Sequence, residues 1–301
     1  MTEITPSQPP RIISKEQAII FSNELLKEID KEKWKDAAYA RLPEVRVFLK
    51  RSVDIIRDFE EATYQKHPEI HSDTDIIYID SGPGPYSYKM LEPGKTDLDD
   101  NAYYGWQWSR KMDRARIRAA YTLASMITAK RIQEQTRIKK ETSNLTTEDF
   151  EEYGPSLMYT STNWQNSHIK HALELSKQAR TFKIPDSKIV MHEQFTSRDG
   201  EIKPIIHTQD QIEGLRFPNN PDGTSPRRVV IVSHPAHLMR IMHILGKYPD
   251  SIPKNTILQA FPIPTPIGAR TEYAKAEILG TLATIFKTDR ASLTPYTDYE
   301  I

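Results

Sequence analysis

The stretch RRVVIVSHPAHLMRIMHIL (Arg227–Leu245) changes period halfway along, and that change decides the fold class. Val229–Val232 is a run of β-branched apolar side chains, the mark of a strand buried on both faces. Ser233-His234-Pro235 ends it. From Ala236 the spacing turns helical: Leu238, Met239, Ile241, Met242 and Leu245 form an apolar stripe. Pro235 suits the first turn, where a missing N–H leaves no bond unmade. Strand, tight polar turn and helix make half of a βαβ unit. In open parallel sheets, ligands bind beyond the carboxyl ends of the strands, where such turns lie. His234, His237 and Arg240 therefore stand where chemistry is expected.

The same alternation extends outward. Asp75–Asp80 (DIIYID), Ser156–Thr160 (SLMYT), Lys188–Met191 and Thr256–Phe261 (TILQAF) read as further strands, and Arg110–Gln135, Trp164–Phe182 and Ala269–Phe286 as the long helices between them. This predicts an α/β fold: a Rossmann-like three-layer sandwich with a mainly parallel sheet of about five strands. Right-handed crossovers place the strand exits 81–88, 161–167, 192–207, 233–237 and 262–270 on one edge. Two helices come earlier, one opened by the capping pattern Ser14-x-x-Gln17 and one running from Pro43 to about His67. They form an N-terminal helical cap over 14–70, preceded by a disordered tail at 1–13. The α/β domain spans 75–290, and Ala291–Ile301 reads as a polar tail. The charged segment Arg137–Tyr153 reads as a solvent-facing continuation of the preceding helix. Residues 86–108 carry Tyr86, Tyr88, Tyr103, Tyr104, Trp106 and Trp108 in a long polar loop: an ordered lid, a protein-contact surface, or cover for the sheet edge.

Bulk properties narrow the function. In 301 residues, 38% are hydrophobic and 27% charged, which fits a globular chain. The formal net charge is zero, so no global field draws the protein to nucleic acid or an anionic membrane. Cysteine is absent, which removes disulfides, thiol catalysis and thiolate metal sites. The N-terminal residues lack the apolar core of a signal peptide, and no apolar run reaches the roughly 18 residues of a membrane span. A soluble, cytoplasmic protein is expected.

Several chemistries can be weighed on the residues. Asp80-Ser81-Gly82-Pro83-Gly84 places glycines after the first strand, where backbone can approach a phosphate or an adenosyl group. A dinucleotide fingerprint needs three glycines opening directly into a helix, so a plain turn is the competing reading. His192, Glu193, His207, Asp210, His234 and His237 have side chains that suit divalent metals, but no HExxH or paired ligand spacing occurs, and no metal ligand is assigned. A histidine phosphatase would need an Arg-His-Gly run, and the chain has no Arg-His pair. A serine hydrolase would need a G-x-S-x-G elbow, which is missing too.

Residues 75–287 resemble the YdcF/SanA/ElyC-like family, a bacterial domain family of unknown function. Glu193-x-x-Thr196 and His207-Thr208-Gln209-Asp210-Gln211 match its third-strand motif, split by the insertion Ser197–Ile206. Val232-Ser233-His234-Pro235-Ala236-His237-Leu238-Met239-Arg240 keeps the family's final His and Arg, while His234 departs from its pattern. Glu277-Ile278-Leu279-Gly280 matches the closing helix, and Arg116-Ile117 the helix after the first strand. Gly82-Pro83-Gly84 and Ser161-Thr162-Asn163 stand where the family has richer glycine runs. The resemblance implies a Rossmann-like fold and S-adenosylmethionine or another nucleotide as ligand.

The expected function is binding of a nucleotide-like or phosphorylated small molecule at the C-terminal sheet edge, with enzymatic activity left open. His237, Glu193 and Asp210 are the catalytic candidates. Ser81, Gly82, Gly84, Arg116, Ser161, Asn163, Thr208, Ser233, His234 and Arg240 are the ligand-binding candidates. His237 and Arg240, three apart on one helix, share a face. Arg240 suits a phosphate or carboxylate, and Glu193 and Asp210 suit ribose hydroxyls or the orientation of His237. The alternative is a structural network in which Arg240 pairs with Glu193 or Asp210. Two other functions stay open, a protein-interaction scaffold using the cap and aromatic loop, and a metal-dependent hydrolase.

Overall fold

A computed structural model of the chain describes residues 15–66, 68–81, 110–179, 181–197, 200–265 and 270–301. The segments read as a disordered tail (1–13) and an aromatic loop (86–108) lie outside the described residues, as do Gly82 and Gly84.

The strands are β1 (Thr74–Asp80), β2 (Ser156–Thr160), β3 (Ile189–His192), β4 (Gln194–Thr196), β5 (Ile202–Pro204), β6 (Arg228–Ser233) and β7 (Ile257–Pro262). The helices are α1 (Lys15–Ile29), α2 (Lys35–Ala40), α3 (Leu42–Glu61), α4 (Arg110–Thr136), α5 (Thr147–Tyr153), α6 (Asn163–Gln178), α7 (Thr208–Glu213), α8 (Pro235–Leu245) and α9 (Arg270–Thr288). The five-stranded sheet is all parallel, in the order β3-β2-β1-β6-β7. β4 and β5 form a separate antiparallel hairpin inside the segment read as a polar loop.

Strand pleating divides the interior into two layers. Ile76, Tyr78, Val229 and Ile231 pack on one face of the sheet, with α3, α8 and α9. Ile77, Ile79, Val230 and Val232 pack on the other, with α4 and α6. The sheet is therefore covered on both faces, as continuous apolar strands require. α8 explains the extra helices. Leu238, Met239, Ile241, Met242, Ile244 and Leu245 are all fully buried, so α8 is buried nearly all round and needs neighbours beyond the sheet. α3 supplies one through Val45, Phe48, Leu49, Val53 and Ile56, and the Phe48 ring lies 4.5 Å from that of His243 on α8. His243 is satisfied inside this contact: its Nδ1 lies 2.8 Å from the Ser292 carbonyl and its Nε2 3.3 Å from Ser52 Oγ. Burial holds the imidazole neutral, its pKa lowered to about 4.

Two segments differ from the sequence expectation. The charged run Arg137–Tyr153 does not prolong α4. That helix stops at Thr136, Arg137 takes a positive φ of 64°, and a new helix starts at a capping box between Thr146 and Asp149. Reciprocal hydrogen bonds at that box give α5 its own start. Ala291–Ile301 is not a loose tail either. Tyr296 N–H donates to the Met242 carbonyl (2.8 Å), Ala260 N–H to Glu300 (2.8 Å) and Glu300 N–H to Leu258 (2.9 Å), so the segment runs over α8 and onto β7. Gly246 permits the passage, because a Cβ there would stand 2.2 Å from the Thr294 carbonyl oxygen.

Phe48→Ala should lower stability by about 3–5 kcal/mol, read by urea unfolding as one transition shifted as a whole. An unchanged main transition beside a separate early one would mean that the N-terminal helices fold apart from the sheet.

Candidate functional site

The strand order reverses between β1 and β6. From β1 the chain winds outward through β2 and β3, and from β6 it winds the other way to β7. In doubly wound sheets the carboxyl ends of the two central strands border the ligand crevice. β1 ends at Asp80 and Ser81, and β6 at Ser233 and His234, all fully buried.

Around these four residues the described chain builds a chain of ionised and polar groups. His237, in the first turn of α8, sits between two carboxylates: its Nε2 lies 2.8 Å from Asp80 Oδ2 and its Nδ1 3.0 Å from Glu277 Oε1 on α9. Arg240 Nη1 donates to the other Glu277 oxygen at 3.3 Å. Tyr78 Oη donates to Asp80 Oδ1, also at 3.3 Å. Arg116, fully buried in α4, donates to Asp113 at 2.6 Å and to the Tyr273 hydroxyl at 3.2 Å. Three carboxylates (Asp80, Asp113, Glu277) thus face three cations (Arg116, His237, Arg240) in one buried cluster. Pairing is what makes such burial tolerable, since each lone ion would cost several kcal/mol.

The electrostatics follow from this arrangement. Burial alone would raise the Glu277 carboxyl, but His237 first, then Arg240 and Arg116, hold it at about 2. Burial would lower His237, but Glu277 and Asp80 outweigh it and raise its pKa above the ordinary value. For Asp80 burial wins, and its carboxyl is raised despite His237 and Arg116. With a carboxylate on each ring nitrogen, His237 holds its proton and behaves as a fixed cation. His234 is the opposite case. Burial, reinforced by the charges of Arg116 and His237, pushes its pKa far down, so the ring is neutral.

The remaining candidates fall around the same edge. Ser81 Oγ donates to Gln165 Oε1 (3.3 Å), and the Gln211 amide lies 3.1 Å from that hydroxyl. The amide orientation that satisfies its surroundings turns the nitrogen to Asp80 and the Thr160 carbonyl. Ser161 Oγ donates to Asn166 Oδ1 at 2.7 Å, and Asn166 in turn donates to the His192 carbonyl at 3.2 Å. Asn163 is the first residue of α6. Glu193 lies between β3 and β4, where its carbonyl accepts from Ile205 N–H. Asp210 Oδ2 accepts from the N–H groups of Ile206 and His207, fixing the start of α7, while Oδ1 pairs with Arg290 Nη1 at 2.7 Å. Arg290 also holds Glu213. The expected pairing of Arg240 with Glu193 or Asp210 is therefore replaced by two separate pairings, Arg240–Glu277 and Asp210–Arg290.

One group of atoms has no such partners. Ser233 Oγ, His234 Nε2, Thr208 Oγ1, Arg116 Nε and Arg240 Nε are buried and have no hydrogen-bond partner among the described residues. His234 and Arg116 both reach Tyr273: the His234 and Tyr273 rings meet edge-on at 6.2 Å, and Arg116 bonds the Tyr273 hydroxyl. Beside them α8 begins with no side-chain cap and with Pro235 in its first turn. The first N–H groups of a helix have no intrahelical partner, and its dipole is positive at that end.

Asp80, Tyr273 and Glu277 were not among the catalytic or ligand-binding candidates, although Glu277 opens the motif Glu277-Ile278-Leu279-Gly280 and Asp80 the glycine-bearing loop. Glu277 does carry a signal: it lies in the buried stripe Tyr273, Ala274, Ile278, Leu282, where an acid belongs only if it is paired. Asp80 carries a similar one, as the acid that closes an apolar strand.

No protein-family model, no curated protein and no solved structure matches the chain. Among the described residues no helix is long and apolar enough to cross a membrane, and no group of three or more His, Asp or Glu side chains is placed to hold a metal ion.

Glu277→Gln leaves His237 and Arg240 short of a buried counter-charge and should cost about 3–5 kcal/mol at neutral pH. The depressed Glu277 pKa contributes stability above the ordinary value of 4.5 that is lost as pH falls toward about 2. The raised His237 pKa contributes stability below 6.5 that is lost as pH rises through its folded value. The urea midpoint should therefore drop between pH 4.5 and 2 in the parent protein, and less steeply in the variant. Parallel pH curves would count against the buried ion chain.

Proposed function

We propose that the chain binds a phosphorylated, nucleotide-like small molecule at the carboxyl ends of β1 and β6. The observation that carries this reading is the start of α8, which has no side-chain cap, together with the buried Ser233 Oγ, Arg116 Nε and Arg240 Nε atoms, which have no hydrogen-bond partner among the described residues. Burying a polar atom without a partner costs about 1–3 kcal/mol, and several together point to a ligand that satisfies them. The set is rich in donors. A helix N-terminus with two guanidinium groups suits a phosphate far better than a cation. This favours a phosphate over the sulfonium of S-adenosylmethionine, which would enter beside Arg116, His237 and Arg240.

The motif resemblance to the YdcF/SanA/ElyC-like family supports the same location, because its His and Arg correspond to His237 and Arg240. In this reading Arg240 clamps the anion with its free Nε edge. His237 acts through its fixed charge and through its hold on Asp80 and Glu277, so its place is to position the site. Any proton transfer on the ligand falls to groups with a free valence, of which His234 and Ser233 stand nearest the helix start.

Titration calorimetry with inorganic phosphate and with AMP should show binding by the purified protein. Arg240→Ala should weaken it by about tenfold to a hundredfold, the loss of a charge-assisted hydrogen bond, with unfolding monitored in parallel to confirm the fold. Absence of binding, or binding that Arg240→Ala leaves unchanged, would overturn the proposal.

A further inference from the structure

His234 differs from the other atoms around the α8 start in its hydrogen-bonding sense. Its Nδ1 lies 3.1 Å from the Pro264 carbonyl oxygen. A carbonyl only accepts, so Nδ1 must carry the hydrogen and donate. A neutral imidazole has one N–H, so Nε2 is then a bare lone pair. That nitrogen is buried and has no hydrogen-bond partner among the described residues. Protonating it would add a third positive charge beside those of Arg116 and His237, which oppose it together with burial. Around it the ring is fixed from two sides, by the Pro264 carbonyl and by the edge contact with Tyr273. Ser233, the preceding residue, has a hydroxyl without a partner among the described residues, and so has the Nε–H of Arg116, whose Nη2 donates to the same Tyr273.

One nitrogen that can only accept, set among N–H donors and hydroxyls that can do either, places a condition on what can bind. A phosphate or phosphomonoester carrying an O–H meets both requirements: its oxygens accept from the Arg116 and Arg240 Nε–H groups, the Ser233 hydroxyl and the α8 N–H groups, and its O–H donates to His234 Nε2. A fully deprotonated oxyanion such as sulfate offers only lone pairs and leaves Nε2 facing one of them. We propose that His234 is a specificity residue that selects protonated oxyanions, phosphate or phosphomonoesters, over sulfate. This rests on the anion site proposed above and adds to it the choice of anion. His234 is also where the chain departs from the pattern it otherwise resembles, so the selectivity belongs to this sequence's own turn, Ser233-His234-Pro235.

Calorimetry at pH 6 with inorganic phosphate and sulfate as probes tests the inference, since inorganic phosphate keeps at least one O–H at that pH and sulfate has none. The parent protein should bind phosphate at least about tenfold more tightly than sulfate. In His234→Ala, phosphate should weaken, sulfate should strengthen, and the ratio should fall toward one. Because a buried substitution can disturb folding, nitrogen-15 NMR of the unmutated protein supplies an independent readout. The His234 Nε2 resonance should be that of an unprotonated nitrogen, and should move on adding phosphate and stay in place on adding sulfate. If neither anion binds, the underlying anion site fails and the selectivity with it. If both bind equally, or if Nε2 proves to be protonated, the anion site stands and the role of His234 falls.

Discussion

A proton held between two buried carboxylates organises this protein. His237 joins Asp80 at the end of β1 to Glu277 in the middle of α9, so strand, helix and helix meet at one imidazole. None of the three groups has water to fall back on, and each is stable as an ion only while the others keep their places. The arrangement fixes the height of α8 over the strand ends and the rotation of α9 about its axis. Gly280 fits this picture, since a Cβ there would come within 3.1 Å of Arg240 Nη1. The layers above the sheet are therefore registered by electrostatics at one end and by apolar packing along the rest of α8.

This division separates two histidines that look equivalent in sequence. His234 and His237 lie three residues apart, yet one is neutral with a bare nitrogen and the other is cationic with both nitrogens bonded. The difference comes from what faces each ring: a carbonyl and a tyrosine edge for His234, two carboxylates for His237. An ionised His237 adds positive charge near the start of α8, and that charge helps to keep His234 unprotonated. The structural ion chain and the unbonded groups thus act on each other.

The sheet was legible in the sequence because its strands are short β-branched runs flanked by turn residues, and such runs carry their own burial signal. The five parallel strands lie within a residue or so of where the pattern placed them. The charged stretch after α4 misled, because charge density says that a segment meets solvent and says nothing of whether one helix continues or another begins. The capping pair Thr146 and Asp149 was the available clue. The strand-exit rule placed Ser81, Ser161, Ser233, His234 and His237 at one edge of the sheet, since topology alone assigns them there. It did not pair them. Arg240 meets Glu277 and Asp210 meets Arg290, partners 37 and 80 positions away, and spacing along a chain has no means of choosing among distant acids. The bare nitrogen of His234 is further still from sequence, because it depends on one backbone carbonyl at Pro264.

The segment 292–300 adds a constraint on how the chain is made. Its backbone pairs with β7 through Leu258 and Ala260 and covers α8 through Met242 and His243. An uncovered outer strand is a template for pairing with other chains. During vectorial synthesis every strand of the sheet emerges before the residues that close this edge. A nascent chain that has already assembled the sheet therefore carries an open strand for the time needed to extend by some thirty residues. Glu300 in that closing segment also meets Arg228 at the base of β6, a guanidinium that Asp73 pairs as well, so closure of the edge brings a second carboxylate to a buried cation.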